Sequence, residues 1–244
     1  PPPPPPFFFH AHQGNRDPLW SRGLGDVYKR QVKELLDVEI FAIDTEFHRE
    51  KTYYRKLALL QLRWADRIAI LDPLDLELNK LAPVFSSTSL AVFHAGSQDL
   101  EVLHLATGAV PCNIFDTQIA AGFVGMRTPS LASLHENLLG IKLSKGDRLT
   151  DWLQRPLTDS QLEYAASDVR YLLDLYQELI SRLGDLDRLT WATAEFDSFL
   201  DKRQKSIDPS DAWQRIKEAK HLNKKKLYTE NHNKPHKTGV KSTR

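Results

Sequence analysis

Two carboxylates two residues apart, Asp44 and Glu46, follow a short apolar run over residues 39–43 that reads as a strand. Residues two apart on a strand share a face, so both acids project together from its C-terminal end. That edge is where open α/β sheets commonly place their sites. Asp99 falls in the first turn of a helical stretch beginning near Ser97, just after the apolar run 90–94. Tyr164 and Asp168 lie four apart on a long helical pattern and share a face, one turn from each other. Grouped carboxylates repel one another, and they make a suitable cradle for a hard divalent cation such as magnesium or manganese, which prefers oxygen ligands. Each residue alone has a plainer reading. Asp44 and Glu46 could be a solvated strand end, Asp99 could complement the helix dipole, and Tyr164 could be a boundary residue of the core.

The elements that must position these residues are legible as pattern. Residues 57–64 and 67–71 read as two further strands joined by a tight turn at Ala65-Asp66. Residues 90–94 make a fourth strand, followed by a helix over 97–107. A short apolar piece, 113–115, precedes Asp116 and a helix through Phe123, and 130–139 reads as another helix that Gly140 ends. The longest helix is predicted over 158–183, opened by Thr158 and Gln161 as a capping box. Leu162, Ala165, Ala166, Val169, Leu172, Leu173 and Tyr176 recur along it at helical spacing. One more helix is expected over 186–201. Three strands first, then alternating strand and helix, predict an α/β fold with a mixed sheet flanked by helices.

Composition narrows the classes. The chain has 244 residues, 27% of them charged, and one cysteine, Cys112, which excludes an internal disulfide framework and a thiolate zinc cluster. No apolar run approaches the roughly 18–20 residues a membrane span needs, so no membrane partner and a cytoplasmic setting are expected. Residues 1–30, opening on six prolines, carry neither strand nor helix period and are expected to be a disordered, non-native leader. Residues 223–244 are expected to be a disordered basic tail. The formal net charge of +1 is uneven: residues 31–219 hold 21 basic and 29 acidic side chains, net −8. An acidic body that handles nucleic acid needs basic patches or cations that neutralise its own carboxylates.

The order Asp-x-Glu, then Asp, then Tyr-x-x-x-Asp, each in its own structural setting, resembles the ribonuclease D family, within the exonucleases named for four acidic residues. FAIDTEF is similar to the family's first motif, VFHAGSQDLEVL to its second and LEYAASDVRYL to its third. The resemblance runs from about Val38 to Leu183 and more faintly to about Ala219. The Asp-Trp…Arg-Pro-Leu lead-in at 151–157 is typical of ribonuclease D, and Tyr164 in place of a histidine marks the tyrosine-bearing branch. The resemblance implies a ribonuclease H-like sheet, three antiparallel strands followed by parallel ones, with the exonuclease domain over residues 31–203. Members of the family carry helical nucleic-acid-binding domains after it. Residues 211–217 resemble the approach to the first of these, so 204–222 is expected to be the start of a truncated helical region.

Hydrolysing a phosphodiester near neutral pH needs an activated water, neutralised charge and a stabilised leaving oxygen, and two divalent ions about 3.5–4 Å apart can supply all three. The resemblance implies two such ions, Mg2+ or Mn2+. Asp44 would bridge them, Glu46 and Asp168 would complete the nucleophile side, Asp99 would serve the second ion, and Tyr164 would position the water. It implies a 3′→5′ exoribonuclease that releases nucleoside 5′-monophosphates from single-stranded RNA 3′ ends, with precursor transfer RNA as substrate, acting as a monomer. Phe47 could stack on the terminal base or belong to the core. His94 and Gln98 could line the pocket, although a hydrogen-bonded structural role suits His94. Arg49, Lys51, Arg55 and Lys56 could contact phosphates or be solvated charges, and Lys145, Arg148 and Arg155 could meet the RNA backbone. Two other readings share the fold: an exonuclease acting on DNA, and a catalytically silent nucleic-acid-binding module. The 151–157 lead-in favours ribonuclease D. Clustering acids beside a polyanion disfavours the silent module.

Overall fold

The computed structural model describes residues 7–9, 28–48, 54–142 and 150–207. One compact unit spans Pro1–Arg203; of a second, Gln204–Arg244, the described residues 204–207 are the end of a helix. The strands are β1 (Phe7–Phe9), β2 (Ile40–His48), β3 (Lys56–Trp64), β4 (Arg67–Leu71), β5 (Leu90–Phe93) and β6 (Asn113–Asp116). The helices are α1 (residues 28–36), α2 (Ala82–Phe85), α3 (Asp99–Thr107), α4 (Thr117–Phe123), α5 (Leu131–Leu134), α6 (Asp159–Arg170), α7 (Leu172–Asp185) and α8 (Leu189–Ile207). Among the described residues no helix is long and apolar enough to cross a membrane.

The six strands form one mixed sheet in the order β1-β4-β3-β2-β5-β6. β2, β3 and β4 run antiparallel, the last two joined through Ala65, whose φ is 48°, while β5 and β6 run parallel to β2. β3 reads KLALLQLRW and is buried almost throughout, because helices cover both faces and leave no solvated side to alternate with. α6 lies over β2, β3 and β4; α3 lies against β2 and β3. Aromatic contacts tie the C-terminal helices to the sheet: Phe115 of β6 meets Tyr176 of α7 and Phe196 of α8, with ring centroids 4.9 Å apart in both pairs.

Several elements differ from their sequence expectation, α1 and α2 among them, which it did not include. β2 does not end at Ile43 but continues to His48, because β3 pairs with it through Lys56, with a register shift between Glu46 and Phe47. The pairing with β5 stops at Ala42, so Asp44 and Glu46 extend past the parallel part of the sheet while still held by β3. The helix expected over 158–183 is two helices, broken at Tyr171 (φ −119°, ψ 10°). Arg63 of β3 explains the break: its Nη1 donates to the Arg170 carbonyl, the acceptor that an unbroken helix would give to residue 174, and to the Asp174 carboxylate at 2.5 Å. The apolar spacing runs through the break in phase, so the pattern could not show it. α8 continues to Ile207. Finally, residues 7–9 and 28–30, expected to lack structure with the rest of 1–30, are ordered: 28–30 open α1, and 7–9 pair in parallel with Ala69–Leu71. Three residues are too few to show a period, yet enough to satisfy the outer backbone groups of β4.

Candidate active site

Adjacent strand residues face opposite sides, so Thr45 turns toward α3 while Asp44 and Glu46 turn toward α6. α6 brings Asp168 to meet them. Carboxylate oxygens of Asp44, Glu46 and Asp168 all lie within 4.8 Å of one another. Asp99, the first residue of α3, is reached from the other face: Thr45 Oγ1–H donates to its Oδ1 at 2.5 Å, and the side chain is buried. Burial, then Asp99, Asp168 and Glu46, raise Asp44 well above the ordinary carboxylate range. Burial raises Asp99 to about 6, against the lowering effect of the Thr45 hydroxyl and backbone N–H groups. Four mutually repelling acids gathered from three elements are unfavourable alone and become favourable around a divalent cation, whose charge reverses the repulsion. The donors of Asp44, Glu46 and Asp168 are all hard oxygens at a spacing one small ion can span, so this trio fits a divalent metal such as magnesium or manganese.

Tyr164 sits one turn before Asp168 on α6 and packs on Trp152, with ring centroids 5.9 Å apart. The helix start that fixes both is the predicted capping box. The Thr158 hydroxyl accepts from Gln161 N at 3.2 Å, and Gln161 Oε1 accepts from Thr158 N at 2.9 Å. Arg155 proves to be part of the same framework rather than an RNA contact. It donates to both oxygens of the buried Asp72, at 2.5 and 2.9 Å, and to the carbonyls of Ala58, Trp152 and Gln154. A guanidinium spent on five acceptors inside the protein has nothing left for a phosphate.

The segment between β5 and α3 is held by Asp116, a residue outside the candidate set of the sequence. Asp116 is almost fully buried and accepts from Ala95 N (3.1 Å), Gly96 N (2.8 Å), Gln118 N (2.8 Å) and Ile119 N (3.3 Å). It caps α4 and fixes the turn that delivers Asp99. Burial raises its carboxyl, while those N–H donors oppose the rise. Ala95 takes φ 56° there, and at Gly96 a Cβ would lie 2.7 Å from the Phe93 ring, so no side chain fits. The signal available in sequence is an acid directly before a helix, the place of a capping residue.

Of the proposed substrate contacts, His94 is half-buried. Its Nδ1 lies 2.9 Å from Thr117 Oγ1, and that hydroxyl donates its own proton to the Phe93 carbonyl at 3.0 Å. The Thr117 oxygen therefore accepts from His94 Nδ1–H, which leaves Nε2 as the acceptor. Burial pushes the ring down to about 4, so it is neutral at pH 7. Gln98 is the residue before α3 and is exposed. Phe47 is half-buried beneath the Arg55 guanidinium, 5.7 Å from its ring centroid. Arg55 itself pairs with Glu101 at 2.6 Å, which takes it out of the set of simple phosphate contacts; Lys56 stays exposed. Arg49, Lys51, Lys145 and Arg148 lie outside the described residues.

The chain is similar in sequence and in fold to known proteins. The family described as 3′-5′ exonuclease matches residues 26–184, a span that takes in α1 and all of the later elements through residue 184 of α7. The chain belongs to that 3′-5′ exonuclease family. It is 41% identical over 184 residues to ribonuclease D of Zymomonas mobilis subsp. mobilis, a match covering 73% of this chain and 47% of the relative. Among solved structures it is similar to RNase D of Escherichia coli, described as an exoribonuclease involved in structured RNA processing. That match has a TM-score of 0.74 and 36% identity, and covers 81% of this chain and 54% of the other. NrnC of Brucella melitensis, solved with bound Mg2+, matches at TM-score 0.64 and 28% identity over 75% of this chain and 92% of that one. The chain spans about half the length of the curated relatives it matches.

Proposed function

We propose that this chain is a metal-dependent 3′→5′ exoribonuclease that removes nucleoside 5′-monophosphates from single-stranded RNA ends. The observation that carries the reading is the meeting of Asp44, Glu46 and Asp168 oxygens within 4.8 Å, with Tyr164 one turn away on the helix that supplies Asp168. Asp44, Glu46 and Asp168 would hold one Mg2+ or Mn2+; Asp44 and Asp99 would hold a second. Bound divalent ions lower the pKa of water and stabilise charge on the leaving oxygen. Tyr164 holds the attacking water by a hydrogen bond from or to its hydroxyl, and Trp152 fixes the ring that carries that hydroxyl. His94, neutral with Nε2 as acceptor, suits a hydroxyl donor of the terminal nucleotide, and Phe47 suits its base. The similarity to ribonuclease D extends the proposal to transfer RNA precursors as substrates, with residues 31–203 as the catalytic domain.

The test is digestion of a 5′-labelled single-stranded RNA and its DNA counterpart with Mg2+, Mn2+ or a chelator, with Asp44→Ala alongside. A ladder shrinking from the 3′ end, faster on RNA, lost with chelator and lost in the variant, is the expected result. Equal trimming of DNA removes the ribonuclease label and keeps the chemistry. Folded protein that binds RNA and cuts neither polymer with either metal overturns the proposal in favour of a silent binding module.

A further inference from the structure

Gln61 lies in the middle of β3 with its side chain fully buried, and neither Oε1 nor Nε2 has a hydrogen-bond partner among the described residues. A primary amide carries two N–H donors and an acceptor oxygen, and burying it without partners is unfavourable. Leucine or methionine would fill the same space without that cost, so the amide calls for an explanation. Register supplies one. Gln61 stands directly opposite Asp44 on β2, and antiparallel partners share a face with Cβ atoms about 4.5–5.5 Å apart. On its other side Gln61 is opposite Ile70 of β4, and α6, which carries Asp168, covers this face of the three strands. The orphaned amide therefore sits beneath α6, one strand away from the acid at the centre of the cluster.

We propose that Gln61 is a positioning residue of the acidic centre: its Nε2–H reaches the Asp44 carboxylate through one ordered water. This rests on the metal-dependent reading given above. An amide suits the task because it is neutral. It fixes which way the Asp44 oxygens point without competing with a cation, as a lysine or arginine at position 61 would. Outer partners of ligating carboxylates typically change metal affinity or activity 10- to 100-fold when removed.

Mn2+ binding to the intact chain, followed by electron paramagnetic resonance without RNA, tests the proposal in wild type and Gln61→Met. The expected result is Mn2+ binding weaker by about tenfold or more in the variant. Turnover should fall with little change in KM for RNA, and the metal-free melting temperature should be unchanged or higher, because two orphaned polar atoms are gone. Wild-type Mn2+ affinity and turnover in Gln61→Met overturn the proposal and leave Gln61 as a core residue. A wild-type chain that binds no Mn2+ overturns the reading of the acidic centre and this proposal with it. Should the variant not fold, the side-chain amide signals of Gln61 in the 15N-labelled wild type decide: they shift on adding Mg2+ if the amide holds Asp44, and unmoved signals overturn the idea.

Discussion

The imidazole of His135 is fully buried edge-on to Tyr171, ring centroids 5.7 Å apart, and neither nitrogen has a hydrogen-bond partner among the described residues. Burial first, then the neighbouring His94, lower it to about 4, with Asp174 pulling the other way. An unfolded histidine titrates near 6.5, so between pH 6.5 and 4 the unfolded chain binds the proton that the folded one refuses. Stability from this group is therefore fully present above pH 6.5 and declines as the pH falls toward 4. At about 1.4 kcal/mol per pKa unit the full loss is about 3 kcal/mol. His135→Phe is expected to melt progressively closer to, or above, wild type as the pH drops from 7.5 to 4.5; a constant difference across that range would refute the assignment. Tyr164→Phe tests a residue in the reaction itself: turnover should fall on the order of 10²-fold with Mn2+ affinity unchanged, and a loss of affinity would make Tyr164 a structural residue. The meeting of Asp44, Glu46 and Asp168 was legible because their order along the chain resembles a family's motifs, with the acids at strand and helix spacing. Thr45, Gln61 and Asp116 were not, since each matters through a partner that strand register or a turn places beside it.

At the scale of elements, the placement of α6 is set from below and from both ends. Arg155 anchors the segment before it to Asp72, the capping box fixes its first turn, and Arg63 closes its last. Arg63→Met leaves the Arg170 carbonyl without its guanidinium donor and frees the joint to α7. A stability loss of about 1–3 kcal/mol is expected in a denaturant melt, accompanied by weaker Mn2+ binding because Asp168 rides on the same helix. Stability lost with Mn2+ affinity intact would show that the joint does not govern the acids. Strands and helices were read from periodicity, and most appear where the pattern put them. The period could not reveal the break at Tyr171, which an arginine 108 positions earlier in the chain accounts for. Nor could it show that β2 runs on through its acids, because polar residues end an apolar pattern even where a neighbouring strand keeps pairing.

At the scale of the whole molecule, charge is divided. Residues 31–219 are net −8, whereas residues 220–244 hold eight basic side chains and one acidic. RNA affinity of the intact chain should therefore fall more steeply with salt than that of a version ending at residue 219. The slope of log K against log salt should change by about 0.7 for each phosphate the tail neutralises; identical slopes would show that the tail makes no phosphate contact. The fold class was legible at this scale because strands and helices follow one another in an order few architectures accept. The packing of β1 on β4 was not, for want of length. The scattering of the acids over three elements also has a consequence in time. Synthesis runs from the N-terminus at about 5–20 residues per second, so Asp44 and Glu46 emerge first, Asp99 next and Asp168 last. Until α6 has left the ribosome and docked, the growing chain holds an incomplete set of acids. On the reading proposed above, no complete metal centre can form before α6 emerges and docks on the sheet.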